Sequence, residues 1–248
     1  MIATRPYTNY DSFAWFYNKF WSARLIDQIY WTVEKYFLER LTPGCHILDV
    51  CCGNGHLTQK MTAQGFKVTG FDVSYSMLEH ARENAPGCDF YVMDACNYKF
   101  DHQFDGAIST CDSLNHIMSF SLLRKALANT FNVLKPGGLF MFDLNTIEGY
   151  HKYWTGEQHA RIEDDNVIII KLKFDNIMQQ SSFEVTTFRL IDGQWVRSDA
   201  FLTQQFYAPE AIKVTLEDIG FEDIEFYDVE KDLKVDGTGR MMFVARKK

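Results

Sequence analysis

Between His46 and Asn145 the chain alternates short apolar runs with helix-like segments, and this rhythm constrains the fold more than any other feature of the sequence. "CHILDV" leads into "CCGNG", and the residues from His56 to Gln64 have helix-like spacing. "KVTGFDV" reads as a strand, "YSMLEHARENA" as a helix, "CDFYVMD" and "FDGAIST" as two further strands. A long helix is expected over Leu122 to Leu134, followed by a turn at "KPGG" and a strand at "LFMFDL". Nearly continuous apolar strands joined through helices form a parallel sheet covered on both faces, because parallel neighbours need long, right-handed crossovers. The expected fold class is therefore α/β, a Rossmann-like doubly wound sheet.

The two ends of the chain depart from this rhythm. Residues 7–40 are rich in aromatics, with Leu25, Ile29, Trp31 or Thr32, and Tyr36 near one stripe, which predicts two helices before the first strand. Beyond Asn145, "NVIIIKLKF", "FEVTTFRLI" and "QWVRSDAFLTQQFY" read as three strands separated by "DN" and "DG" turn signals, an antiparallel insertion. "PEAIKVTLEDIGF" is a proline-started helix stopped by Gly220, after which "EDIEFYDV" and "RMMFVAR" return to the main sheet. The expected organisation is a helical lid over 1–40, a main domain over 41–145 and 209–248, and an inserted antiparallel β subdomain over 146–208 above the active site.

Composition narrows the function classes. With 248 residues and 46% hydrophobic content the chain can bury one large core. The 33 acidic residues outnumber the 25 basic ones, and no basic run precedes the terminal "ARKK", which argues against a nucleic-acid partner. No apolar run approaches the roughly 20 residues that span a bilayer, and "MIATRPYTNY" lacks a signal-peptide apolar region, so no membrane contact and a cytoplasmic location are expected. The six cysteines form no CxxC pair, and vicinal Cys51 and Cys52 have no further ligand at matching spacing, so reduced thiols and no metal are expected.

"HILDV" delivers the chain to the carboxyl edge of the sheet, where Gly53 and Gly55 allow a sharp turn and close approach of the backbone to a ligand before the helix at His56. The dinucleotide fingerprint GxGxxG fails, since Leu57 and Thr58 follow "GNG", and a P-loop ending is absent. What remains is hhDhxxGxG followed by "VTGFDVS", in which Asp72 ends the second strand and can accept hydrogen bonds from two ribose hydroxyls. On these residues the sequence resembles the class I S-adenosylmethionine (SAM) dependent methyltransferases, whose usual first motif LDLGCGTG stands here as "LDVCCGNG". The resemblance covers most of the chain, through "FYVMDACN", "FDGAIST", "NVLKPGGLFMFDLN" and "QFYAPEAIKVTLEDIGFE", and it implies a seven-stranded methyltransferase sheet.

The resemblance implies SAM as cofactor, with S-adenosylhomocysteine as product, and a set of site residues. Gly53, Asn54 and Gly55 would admit SAM to the backbone, Asp49 would bias the edge toward its ammonium, and Asp72 would take the ribose. Val73 and Met77 would wall the adenine, Met77 reading equally as helix core. Asp94 would hold the adenine amino group beside a backbone contact from Ala95, and Thr110 opens the segment after the fourth strand. Cys51 stands where the family usually has glycine. It would lie near the methionine part of SAM, and it is expected to hold an ordinary backbone conformation, because a side chain disfavours positive φ.

For the acceptor side, "TCDSLNHIM" is closest to glycine N-methyltransferase and the sugar amine N-methyltransferases, which makes His116 the candidate general base or substrate orienter. Asp112 and Asn115 could hold a substrate amine or cap a helix, and Asn145 and Thr146 share that ambiguity on the same rim. "YTNYDSFAWFYNKF" resembles the family's YxxFAxxYD lid with Asn18 replacing the acid. Its Tyr10 and Tyr17 could cover SAM or the substrate, Tyr17 being grouped with His116 as catalytic. Arg189 and Gln204 read as surface residues. The implied activity is methyl transfer to a nitrogen or oxygen of a small-molecule acceptor. A nucleic-acid methyltransferase usually shows [DNS]PP[YF] where this chain has "STCDSLN". A non-catalytic SAM-binding partner protein and an NAD-linked oxidoreductase are the remaining alternatives, and the sequence carries no signal for oligomeric state.

Overall fold

A computed structural model describes residues 10–237 and 239–248; the first nine residues of the expected lid and Thr238 lie outside the described residues. The chain opens with α1 (Ala14–Phe16), a π-helical turn over Tyr17–Trp21 and α2 (Ser22–Tyr36), which follow one another directly, so the two expected helices form one run with a π-bulge in it. The buried stripe of α2 is Ile26, Ile29 and Val33, with Leu25 and Tyr36 half-buried beside it.

The alternating region folds as β1 (His46–Val50), α3 (His56–Ala63), β2 (Lys67–Asp72), α4 (Tyr75–Asn84), β3 (Asp89–Val92), β4 (Phe104–Ser109), α5 (Phe120–Val133) and β5 (Leu134–Asn145). After these come α6 (Ile147–Tyr153), the four strands β6 (Thr155–Ile162), β7 (Asn166–Asp175), β8 (Gln180–Ile191) and β9 (Gln194–Gln205), then α7 (Pro209–Ile219), β10 (Phe221–Asp228) and β11 (Arg240–Lys247). Seven strands form the main sheet in the order β10-β11-β5-β4-β1-β2-β3, with β11 alone antiparallel to its neighbours. Strand order reverses between β1 and β4, and the carboxyl ends of strands beside such a switch point form a crevice for ligands.

The period-two alternation of the strands divides the core. Ile47, Leu139, Met141, Met242 and Val244 face α2 and α3, whereas Leu48, Phe140, Phe142, Phe243 and Ala245 face α5 and α7. Both faces are apolar because both are covered, which is why the strands read as continuous hydrophobic runs.

The insertion is a four-stranded antiparallel sheet in the order β6-β7-β8-β9, one strand more than the sequence suggests. "TGEQHARI" escaped notice because β6 is an edge strand with almost every residue exposed, so it needs no apolar alternation. The β8–β9 hairpin closes from Ile191 to Gln194 around Asp192 and Gly193, at φ 50° and 79°, the paired positive values of a type I′ turn.

Lid and insertion share one small core. Phe13 and Phe16 are buried against Ile168, Val185 and Ala200, and the Phe13 ring meets Trp21 at 5.3 Å and Phe183 at 5.7 Å, edge to face. Burying each phenylalanine contributes roughly 1.5–3 kcal/mol, so the aromatic spacing of the lid is explained by the sheet it lies on. Among the described residues no helix is long and apolar enough to cross a membrane.

Candidate active site

The turn after β1 carries three residues at positive φ: Cys51 at 58°, Gly53 at 54° and Gly55 at 75°. Cys51 thus departs from the expected ordinary conformation, at a cost of about 1–2 kcal/mol for a residue with a side chain. The cause lies in the following bonds: the Cys52 amide donates to the Phe71 carbonyl at 2.9 Å and the Gly53 amide to Asp72 Oδ2 at 2.9 Å, so the chain must reverse within one residue of the strand. Gly55 does not line the cavity and is packed against α4. A Cβ there would stand 3.0 Å from Ala81, and the absence of one lets α3 start against α4.

Around this turn, beneath the lid, lies a cavity of about 260 Å³. Of the candidate cofactor, catalytic and substrate residues named from the sequence, all line it except Gly55, Asp112, Asn115, Asn145 and Thr146. Tyr10 and Tyr17 enter from the lid; Asp49, Cys51, Gly53 and Asn54 come from β1 and its turn; Asp72, Val73 and Met77 from β2 and α4; Asp94 and Ala95 follow β3; Thr110 and His116 follow β4. Ser22, Ile26, His56 and Cys111 line it too, and carried no signal in the sequence.

Its acids differ in environment. Asp72 accepts from the Gly53 amide on Oδ2 and from the Ser74 amide on Oδ1, both at 2.9 Å, leaving a lone pair on each oxygen for a ligand. Asp94 is exposed and accepts from the Cys96 amide at 2.8 Å. Asp49 is only 2% exposed, accepts from Thr58 Oγ1 at 2.6 Å and has no ion-pair partner among the described residues. Burial, with the charge of Asp72 adding to it, pushes its carboxyl up to about 7. A buried carboxylate beside a cavity and without a cation fits a ligand that brings one, as SAM does with its ammonium and sulfonium.

Asn18 fastens the lid to the turn. Its Oδ1 accepts from Asn54 Nδ2 and Asn84 Nδ2, both at 2.8 Å, while Asn54 Nδ2 also donates to Ser22 Oγ at 2.6 Å. Asp11 adds a second tie, accepting from Ser74 Oγ at 2.8 Å and the Ser76 amide at 2.9 Å at the start of α4.

Behind the cavity a charged cluster shapes the segment after β4. Cys111 and Asp112 both adopt positive φ, 61° and 53°, and their amides donate to the Asp143 carboxylate at 3.1 and 2.6 Å. Arg240 of β11 pairs with Asp112 and, at 3.5 Å, with Asp143. Neither Arg240 nor Asp143 was marked by the sequence; the hint was an acid inside the apolar run "FMFDLN". Asn115 and Asn145, expected at the substrate, are internal ties instead. Asn115 Oδ1 accepts from the Asn145 amide at 2.9 Å and its Nδ2 donates to the Gln205 carbonyl at 2.8 Å, while Asn145 Nδ2 donates to Gln204 Oε1 at 3.0 Å. Thr146 caps α6 by accepting from the Gly149 amide at 2.9 Å.

His116 ends a 3-10 turn over Ser113–His116. Its Nδ1 stands 2.8 Å from the Thr203 carbonyl and its Nε2 2.9 Å from the Tyr10 hydroxyl. A carbonyl only accepts, so Nδ1 carries the proton and Nε2 accepts from Tyr10. Burial lowers the imidazole pKa below its ordinary value against the opposing charge of Asp112, which keeps the ring neutral at pH 7. Burial likewise holds the Tyr10 and Tyr17 phenols protonated. Gln204, read from the sequence as a surface residue, is 2% exposed, because the inward positions of β9 are Ala200, Leu202 and Gln204. Arg189 is half-buried, stacked on Trp15 at 3.8 Å, and does not line the cavity.

Residues 47–138 match the family described as Methyltransferase domain. A chain of Bacillus subtilis (strain 168) named as a methyltransferase is 28% identical over 247 residues, covering 96% of this chain and 97% of its own. Among solved structures, an S-adenosylmethionine-dependent methyltransferase from Clostridium acetobutylicum ATCC 824 has a TM-score of 0.76 at 23% identity, over 96% of this chain and 98% of its own. A SAM-bound amino pentose methyltransferase from Micromonospora echinaspora has a TM-score of 0.70 at 17% identity, over 100% of both chains. This strand order, an acid near the end of each of the first three strands, a methyltransferase domain over residues 47–138 and a relative matched along nearly its whole length together make the chain a SAM-dependent methyltransferase with a Rossmann-like methyltransferase fold.

Proposed function

We propose that the enzyme methylates a nitrogen or oxygen of a small-molecule acceptor held beneath the lid, with His116 receiving the acceptor's proton. The observation that carries this reading is the neutral His116 at the cavity wall, its Nδ1–H spent on Thr203 and its Nε2 lone pair turned toward Tyr10 of the lid. The likeness to an amino pentose methyltransferase supports an amine acceptor.

When bound, SAM supplies an electrophilic methyl group and departs as a neutral thioether. Asp72 would hold the ribose hydroxyls, Asp49 the ammonium, and Asp94 with the Ala95 backbone the adenine amino group, with Val73 and Met77 as apolar walls. The lid excludes water and fixes the acceptor in line with the methyl, and near-attack geometry of this kind contributes on the order of 7–11 kcal/mol. With the acceptor in place of the Tyr10 hydroxyl at Nε2, His116 would take the proton the acceptor gives up, and the imidazolium would form beside Asp112, whose charge favours it. Tyr17, a protonated phenol, orients the acceptor, and an aromatic face toward the sulfonium is worth roughly 0.5–2 kcal/mol.

The test is calorimetric titration with SAM and S-adenosylhomocysteine, then a screen of amines, alcohols and nucleic acids read by mass for one added methyl. The reading expects a methylated small molecule, and a His116→Ala variant that binds SAM as the parent does but turns over about 10²–10⁴ times more slowly. Product from nucleic acid alone, or undiminished turnover in His116→Ala, overturns it.

A further inference from the structure

Consecutive residues of β9 reach both ring nitrogens of His116. The Thr203 carbonyl lies 2.8 Å from Nδ1 and the Gln204 amide nitrogen 3.2 Å from Nε2. The Gln204 side chain has no freedom to choose which end it presents. Its Oε1 accepts from Asn145 Nδ2 at 3.0 Å and from the Tyr150 hydroxyl at 3.1 Å. Its Nε2 donates to the Asp112 carboxylate, which as an anion has nothing to donate in return. With three partners on two ends, the amide can offer His116 only an N–H. That N–H accommodates a lone pair on the imidazole and opposes a second N–H there.

Gln204 is 2% exposed and Tyr150 0%, so neither can turn to solvent, and the Tyr150 ring is held flat on Phe174 at 4.6 Å. Asp112 in turn is pinned by Arg240 of β11.

We propose that Gln204 is a positioning residue for methyl transfer: oriented by Tyr150, Asn145 and Asp112, it keeps His116 in the Nδ1–H tautomer with the Nε2 lone pair facing the cavity. The kinetic consequence rests on His116 being the base, whereas the tautomer itself does not. The titratable and charged groups around the imidazole are Tyr10, with Tyr17 beyond it, from the lid, Asp112 beside it, and Asp143 of β5 and Arg240 of β11 behind Asp112. Asp112 favours the imidazolium, burial disfavours it, and Gln204 acts on the side of burial.

The experiment follows the ring ¹⁵N shifts of His116 across pH in the SAM-free protein, beside the pH profile of kcat/KM, for Gln204→Glu and Tyr150→Phe. Gln204→Glu replaces the N–H by an acceptor, so His116 is expected to titrate about one pH unit or more higher, with the acidic limb of kcat/KM moving up equally. SAM affinity is expected to remain that of the parent. Tyr150→Phe keeps the ring and removes one of the two donors to Oε1, so a smaller shift in the same direction is expected; it carries the test alone if Gln204→Glu does not fold. Ring shifts and titration identical to the parent, in a variant that still binds SAM, overturn the proposal. A moved titration that kcat/KM does not follow upholds the positioning and removes His116 as the base.

Discussion

The Tyr10 hydroxyl donates to Nε2 of His116 across 2.9 Å, the two rings edge to face at 84°. A residue of the lid thus covers the atom to which the proposed mechanism assigns the acceptor's proton. Tyr10→Phe should leave the ring in place and remove the donor, at a cost of about 1 kcal/mol of stability. The bond favours the neutral imidazole, so losing it should raise the His116 pKa and shift the acidic limb of kcat/KM to higher pH. Unchanged SAM affinity is expected by calorimetry; a large loss would assign Tyr10 to the cofactor instead.

Asp49 gives the site a pH dependence of definite sign. Its folded pKa, about 7, lies above the ordinary 3.8, so the fold prefers the protonated form. Its contribution to stability is full below the ordinary carboxylate range and is lost as pH rises through about 7. A ligand cation reverses that preference. SAM should therefore bind more tightly as pH rises through about 7 and release protons below it. Calorimetry in buffers of different ionisation enthalpy measures this release, and Asp49→Asn should abolish it.

Arg240 stands between two carboxylates behind the cavity, the half-buried Asp112 and the buried Asp143. Arg240→Met should leave them uncompensated and lower stability by about 3–5 kcal/mol in urea unfolding. Adding Asp112→Asn and Asp143→Asn should recover much of that loss, because the penalty belongs to the unpaired charges.

Phe13 anchors the lid on the inserted sheet, at 0% exposure. Phe13→Ala should remove about 3–5 kcal/mol of local packing. Because Phe13 packs in a small core separate from those of the main sheet, the loss should be read as faster proteolysis of the lid and weaker SAM binding, with a smaller change in the main unfolding transition. An unaltered lid would mean that the Asn18 and Asp11 ties suffice.

The parallel sheet and its ligand edge could be read from the chain because both faces of each strand are covered, so "HILDV" and "LFMFDL" are unbroken apolar runs whose following turns must lie at the carboxyl edge. The acids Asp49, Asp72 and Asp94 were legible by their place relative to those strands. The left-handed conformation of Cys51 was not, because it is imposed by hydrogen bonds to β2, distant in sequence. Nor was the interior place of Gln204: alternation marks two faces of β9 without saying which one meets the cavity. Asn115 and Asn145 were misplaced for a related reason. A polar residue near a strand end looks alike whether it faces a ligand or ties the interior together, and here Asn115 bonds the backbone of β5 and β9 while Asn145 bonds the Gln204 side chain.

Because Phe13 and Phe16 fill the underside of the inserted sheet while that sheet's last strand holds both nitrogens of His116, the two segments are a single unit of exchange. A chimera that imports a relative's residues 146–208 alone would acquire a sheet whose underside does not match the aromatic helix beneath it. Exchanging the insertion between relatives therefore requires moving residues 10–21 with it, although more than a hundred residues separate them in the chain.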